Sequence, residues 1–219
     1  MNPKKRFDPI AVLRRTFRYL RARWHHRVAK KKSPNAPPLR AELFSMAQME
    51  THGRKLAQSH RVRFGKAPDQ LLARLTSNER ALLDACELLS RAVASGRQIT
   101  PAGEWMLDNF YLIEEQINTA RRHLPKGYSW ELPQLSEGTS RGLPRVYDIA
   151  LETISHSDAR VDGESIRRVV AAYQKISPLT LGELWAIPIM LRLALIENLR
   201  RAADRTAAGR RERNIATLA

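Results

Sequence analysis

The sequence predicts an all-α fold, an irregular multi-helix bundle preceded by a basic amphipathic N-terminal helix. Three observations carry that reading. Beyond Pro38, apolar residues recur at intervals of three and four in one segment after another, which is the period of a helix face. Start and stop signals bracket those segments, among them Thr100-Pro101, Gly96 and Thr180-Leu181-Gly182-Glu183. Period-two alternation and the glycine pairs of tight hairpins do not accompany them.

In the first segment, residues 1–32, Ile10, Leu13, Phe17, Leu20 and Trp24 fall at helical spacing, with basic residues between them. A helix of this kind binds anionic lipid surfaces, its aromatic side chains sitting at headgroup level. Arg14, Arg15, Arg18, Arg21, Trp24 and Arg27 are therefore the candidate membrane or anion contacts. A phosphate backbone would attract the same charges, and an inert arm or one that packs on a partner is a third reading. The segment 33–38 holds Pro34, Pro37 and Pro38, which cannot continue a helix and favour an extended linker. A helical domain is expected over 39–213 and a short tail over 214–219.

Within that domain, Leu43, Met46, Met49, Gly53 and Leu56 predict a helix ending near Ser59. Ser77 is a candidate N-cap for a helix through Leu82, Leu83, Cys86, Leu89 and Val93, stopped by Gly96. Thr100 caps the next, with Pro101 at its first position, and Trp105, Leu107, Phe110, Leu112, Ile113 and Ile117 extend it toward Pro125. A loop rich in Gly and Pro spans 125–142. Pro144 opens a helix through Val146, Tyr147, Ala150, Leu151 and Ile154, and Asp162 caps another through Ile166, Val169, Val170 and Tyr173. The last begins at a capping box, Thr180 and Glu183, and carries Pro188 deep enough to predict a kink. Trp105, Phe110, Trp185, Pro188, Leu191 and Leu195 are the candidate core or docking residues.

The 219 residues, 43% hydrophobic and 27% charged, suffice for a sizeable core. One cysteine, Cys86, in an apolar pattern, excludes an intrachain disulfide framework and reads as a small core residue. The net charge of +16 is uneven. Residues 1–32 carry twelve Lys/Arg against one acid, +11, and residues 200–219 carry six against two, +4. Residues 33–199 carry twenty against nineteen, +1, so a near-neutral body has strongly basic ends. No apolar run has the length of a signal peptide core, and 184–199 is too short and too charged, at Arg192 and Glu197, to span a membrane.

Candidate chemistry is sparse. Glu104, Asp108, Tyr111 and Glu115 share one face of a helix, but a bundle metal site of this type needs Glu-x-x-His partners, and Glu152 precedes His156 by four. The segment 156–164 resembles a calcium loop only superficially, since Arg160 stands where an oxygen ligand belongs and Val169 where the bidentate Glu belongs. His25-His26 in the basic arm is a weak ligand pair. No phosphate-cradling glycine loop, nucleophile elbow or Ser/His/Asp set is legible. The expectation is a chain with no catalytic residue, no metal and no cofactor of its own.

Seven blocks resemble the N-terminal region of the bacterial cyclic β-1,2-glucan synthases. They are Leu39-Arg40-Ala41-Glu42-Leu43-Phe44-Ser45, Gly103-Glu104-Trp105-Met106-Leu107-Asp108-Asn109-Phe110, Ile113-Glu114-Glu115-Gln116-Ile117, and Arg122-His123-Leu124-Pro125-Lys126-Gly127-Tyr128. Pro144-Arg145-Val146-Tyr147, Pro178-Leu179-Thr180-Leu181-Gly182-Glu183-Leu184-Trp185-Ala186-Ile187-Pro188 and Leu191-Arg192-Leu193-Ala194-Leu195-Ile196-Glu197-Asn198-Leu199 complete them in the family's order.

The resemblance implies a very large inner-membrane enzyme that extends a protein-linked β-1,2-glucan from UDP-glucose and cyclises it, with a phosphorylase-like domain trimming its length. The glucosyltransferase and phosphorylase-like domains have no counterpart in these 219 residues. The expectation is a non-catalytic accessory module on the cytoplasmic side, peripheral to the inner membrane, partnered by the catalytic part of a synthase or by the anionic membrane face. Because Arg210-Arg211-Glu212-Arg213-Asn214 reads as helix in mid-course, a truncated or split product is expected. A stand-alone basic adaptor for nucleic acid or an anionic membrane is the alternative. Tyr128, in the 125–142 loop, is a conceivable acceptor for protein-linked glucan and more simply a ring packed on the bundle.

Overall fold

The computed structural model describes residues 43–65, 68–157 and 162–216, with side chains to residue 209 in the last helix. The basic amphipathic helix, its contacts Arg14, Arg15, Arg18, Arg21, Trp24 and Arg27, and the 33–38 linker lie outside the described residues, as do residues 158–161 of the calcium-like segment. The described residues form seven helices and one two-stranded ribbon. The all-α expectation is met.

Helix α1, Met46–Ser59, opens on a capping box: Gln48 N–H donates to Ser45 Oγ at 3.4 Å, and Ser45 N–H to Gln48 Oε1 at 2.7 Å. Leu43, expected on its apolar face, lies ahead of the helix and is exposed. Helix α2, Leu71–Ala94, starts well before Ser77, which sits in its interior rather than at its cap. Asp69 accepts the Leu71 N–H at 3.1 Å, and Leu71 and Leu75 extend the buried stripe upstream, so packing sets the start.

The helix expected to run unbroken from Pro101 is divided at Asn109 into α3, Pro101–Asp108, and α4, Phe110–Arg122. Asn109 donates both its backbone N–H and its side-chain amide to the Trp105 carbonyl, at 3.0 and 2.8 Å, which ends the first helix locally. Glu104 and Asp108 therefore stand on one helix and Tyr111 and Glu115 on the next, all exposed. Helices α5, Arg145–His156, and α6, Gly163–Gln174, begin where Pro144 and Asp162 predict, and Asp162 Oδ1 accepts the Ser165 N–H at 2.8 Å. Helix α7, Leu181–Ala216, continues through Pro188. Its capping box is reciprocal, with Thr180 N–H to Glu183 Oε2 at 2.8 Å and Glu183 N–H to Thr180 Oγ1 at 3.3 Å.

A short ribbon accompanies the helices. Strand β1, Val62–Arg63, pairs antiparallel with β2, Gln134–Leu135, and the Ser136 N–H bonds the Arg61 carbonyl at 2.9 Å. Two-residue strands carry no readable alternation, and the partners are joined by long-range packing.

Helix α7 is the axis of the bundle and packs on α2, α3, α4 and α5, while α1 lies along α6 and touches α5. One core cluster gathers Met49, Ala57, Ile149, Val169, Val170, Tyr173 and Leu179. Gly53 lets α1 approach α6 closely, since a Cβ there would stand 3.1 Å from the Val169 carbonyl oxygen. Cys86 is fully buried on α2, and burial pushes its thiol up to about 12. That is a packing residue rather than a nucleophile.

Candidate functional site

An amphipathic surface helix buries one stripe. Helix α7 is apolar on two. Ala186, Met190, Leu193, Ala194 and Ile196 are buried against its neighbours. Leu181, Trp185, Pro188 and Leu195 project to solvent at steps of four, three and seven, which keeps them in one narrow arc. Trp185 is 77% exposed and Leu181 67%, with Ile176 just ahead of the helix at 46%. Leu191 at the edge of the stripe and Arg192 within it are half-buried, Arg192 reaching His123 Nδ1 at 3.5 Å.

The buried charges of the core are paired. Arg145 and Glu183, nearly inaccessible, form a bidentate pair at 2.6 and 2.8 Å, and Arg145 also donates to Ser177 Oγ and to the Pro178 carbonyl. Glu197 accepts from Arg74 at 2.6 and 2.7 Å, from Arg201 at 2.9 Å, and from Asn78 and Tyr147 at 3.2 Å. Burial raises the Glu197 carboxyl, but Arg74, Arg201 and Asn78 outweigh it and hold the group at about 2. These two carboxylates pin α7 to α5 and α2.

A third network links Ser140, Asp148, His60 and Tyr173. Asp148 accepts from Ser140 Oγ through one oxygen and meets His60 Nε2 at 3.1 Å through the other, while His60 Nδ1 meets the Tyr173 hydroxyl at 2.9 Å. The residue types match a hydrolase triad, but the order does not. The carboxylate stands between Ser and His, so the imidazole has no contact with the hydroxyl it would have to deprotonate.

A fourth cluster lies where α1 crosses α5. His52 Nε2 is 2.8 Å and His156 Nε2 3.5 Å from the same oxygen, Glu152 Oε2. The Phe44 ring stacks on His156 at 3.8 Å and 7° and stands edge-on to His52 at 5.4 Å. The Phe44 N–H bonds the His156 carbonyl at 3.1 Å.

The six proposed core or docking residues divide by burial. Phe110 is buried, Leu191 half-buried, and Trp105, Trp185, Pro188 and Leu195 exposed, the last three along one stripe of α7. Tyr128 is half-buried and its hydroxyl raised by burial. The His52, Glu152 and His156 grouping escapes sequence reading because His52 lies a hundred positions from Glu152; the i,i+4 pair Glu152/His156 is the one local signal.

The all-α unit with its doubly apolar last helix is a partial homologue of a cyclic β-(1,2)-glucan synthase, in line with the seven-block resemblance. The relative is the cyclic β-(1,2)-glucan synthase NdvB of Rhizobium meliloti (strain 1021), 37% identical over 174 residues. The match covers 78% of this chain and 6% of that relative, so the chain spans a small part of the relative's length. No family model matches the sequence. No helix among the described residues is long and apolar enough to cross a membrane.

Proposed function

We propose that this chain is a non-catalytic accessory module of a cyclic β-1,2-glucan synthase, corresponding to its N-terminal region, and that it docks on the catalytic part through α7. The observation that carries the reading is the solvent-facing stripe of Leu181, Trp185, Pro188 and Leu195 on a helix whose other face is already buried. Exposed Trp side chains of this kind anchor interfaces. The relative supplies the partner: a chain covering 6% of a synthase has most of that protein as a potential neighbour. In this reading UDP-glucose is bound by the catalytic part and not by these residues, and the module sits on the cytoplasmic side, peripheral to the inner membrane. The basic arm, through Arg14, Arg15, Arg18, Arg21, Trp24 and Arg27, contacts anionic headgroups there.

Copurification of the full chain with a synthase lacking the matching 174 residues tests the docking. Trp185→Asp is expected to abolish capture while leaving the helical signal intact. Capture that persists unchanged in Trp185→Asp, or no capture of any synthase core, rejects the docking face. Sedimentation with vesicles containing anionic lipid tests the arm; preferential binding of a defined nucleic acid that survives moderate salt would favour the adaptor reading instead.

A further inference from the structure

We propose that His52, Glu152 and His156 form a divalent transition-metal site, with zinc(II) the best match, that fastens α1 to the end of α5. Its evidence is independent of the docking face. Two imidazoles and one carboxylate offer one ligand atom each, and all three atoms lie within 4.8 Å of one another. Tetrahedral zinc with bonds of about 2.0–2.2 Å puts its ligand atoms about 3.3 Å apart. The observed separations of 2.8 and 3.5 Å to Glu152 Oε2 bracket that value. Since the two imidazole nitrogens lie within 4.8 Å of each other, drawing them together by at most about 1.5 Å completes the geometry.

The scaffold favours ligation over a simple ion pair. The rings stand at 61° with centroids 4.6 Å apart, so two imidazolium charges there would repel. A single divalent cation lets both rings stay neutral and present lone pairs to it. Phe44 walls one side and holds His156 face-on, which limits the rotations a ligand ring must lose on binding. The side chains of His52 and Glu152 are 26% and 32% exposed and that of His156 10%, so the site is open to an entering ion on one side. Two His and one Glu with water in the fourth position is a well-populated zinc arrangement, and imidazole with carboxylate does not suit magnesium or calcium, which take oxygen ligands. Since the ligands come from two helices, the ion would be expected to stabilise their crossing.

The test uses the full chain without an affinity tag, dialysed against chelator and titrated with zinc(II) and, for its visible spectrum, cobalt(II). One equivalent is expected, with the absorption of a four-coordinate cobalt site and a raised melting temperature. His52→Gln, at a half-exposed position that leaves the core intact, is expected to weaken binding by about a hundredfold, and Glu152→Gln by at least about tenfold. The paired variant His25→Ala/His26→Ala is expected to bind as the native chain does. Absence of stoichiometric metal overturns the proposal. So does binding that survives His52→Gln, or that is lost in the His25/His26 variant, since the ion would then sit elsewhere.

Discussion

Glu183 grips Arg145 through both carboxylate oxygens, at 2.6 and 2.8 Å, while one of those oxygens also accepts the Thr180 N–H that opens α7. One side chain thus serves a local rule and a tertiary one. The capping box is legible in the order Thr180-Leu181-Gly182-Glu183; the ion pair to a residue 38 positions upstream is not. Glu183→Ala removes both and strands a buried guanidinium. Unfolding in denaturant is expected to show a loss of about 3–5 kcal/mol, and Thr180→Ala about 1 kcal/mol. Equal costs would mean that the cap, not the pair, dominates.

Glu197 makes stability depend on acid. Its folded value is held at about 2 against an ordinary 4.5: burial raises it, and Arg74, Arg201 and Asn78 lower it further. A depressed carboxyl stabilises the fold above the ordinary value, and that contribution is lost as pH falls from 4.5 toward 2. Arg74 is 35% exposed, so solvent screens part of the effect. The denaturation midpoint of the native chain is expected to fall more steeply across this window than that of Glu197→Gln; parallel slopes would assign the acid sensitivity to other groups.

Trp185 and Leu193 separate the two faces of α7. Trp185→Ala, at a 77% exposed position, is expected to change stability by less than about 0.5 kcal/mol. Leu193→Ala, 4% exposed, is expected to cost about 2–5 kcal/mol. A comparable loss at Trp185 in the isolated chain would show that the stripe is already covered.

Gly53 and Gly182 respond in opposite directions. Gly53→Val would press on the Val169 carbonyl across the α1–α6 contact and is expected to cost about 1–3 kcal/mol. A Cβ at Gly182 would meet nothing within 4 Å, and the residue lies in the first turn of α7, so Gly182→Ala is expected to stabilise by about 0.5–1 kcal/mol. Thermal melts of the two variants distinguish close packing from simple helix propensity.

Rules that operate within a few residues were legible in the chain. Thr100 with Pro101, Asp162, Thr180 with Glu183, and the buried steps along α4 to α6 follow from capping geometry and a period of 3.6. Ser77 and Asn109 misled the same rules in opposite directions. At Ser77 the upstream stripe of Leu71 and Leu75 prolonged the helix past a good cap, and at Asn109 a side-chain bond to the Trp105 carbonyl ended a helix whose apolar spacing continued.

Composition and local period were thus sufficient for an all-α chain with a near-neutral body and for an apolar final helix, because each depends on neighbours four residues away or fewer. Packing alone decided which face of that helix is covered, since Trp185 and Met190 read alike as apolar letters yet one is 77% exposed and the other 0%. Packing also decided that His52 meets Glu152 and His156 and that Arg74 meets Glu197. Those encounters join residues 100 and 123 positions apart, and no local pattern encodes where two helices cross.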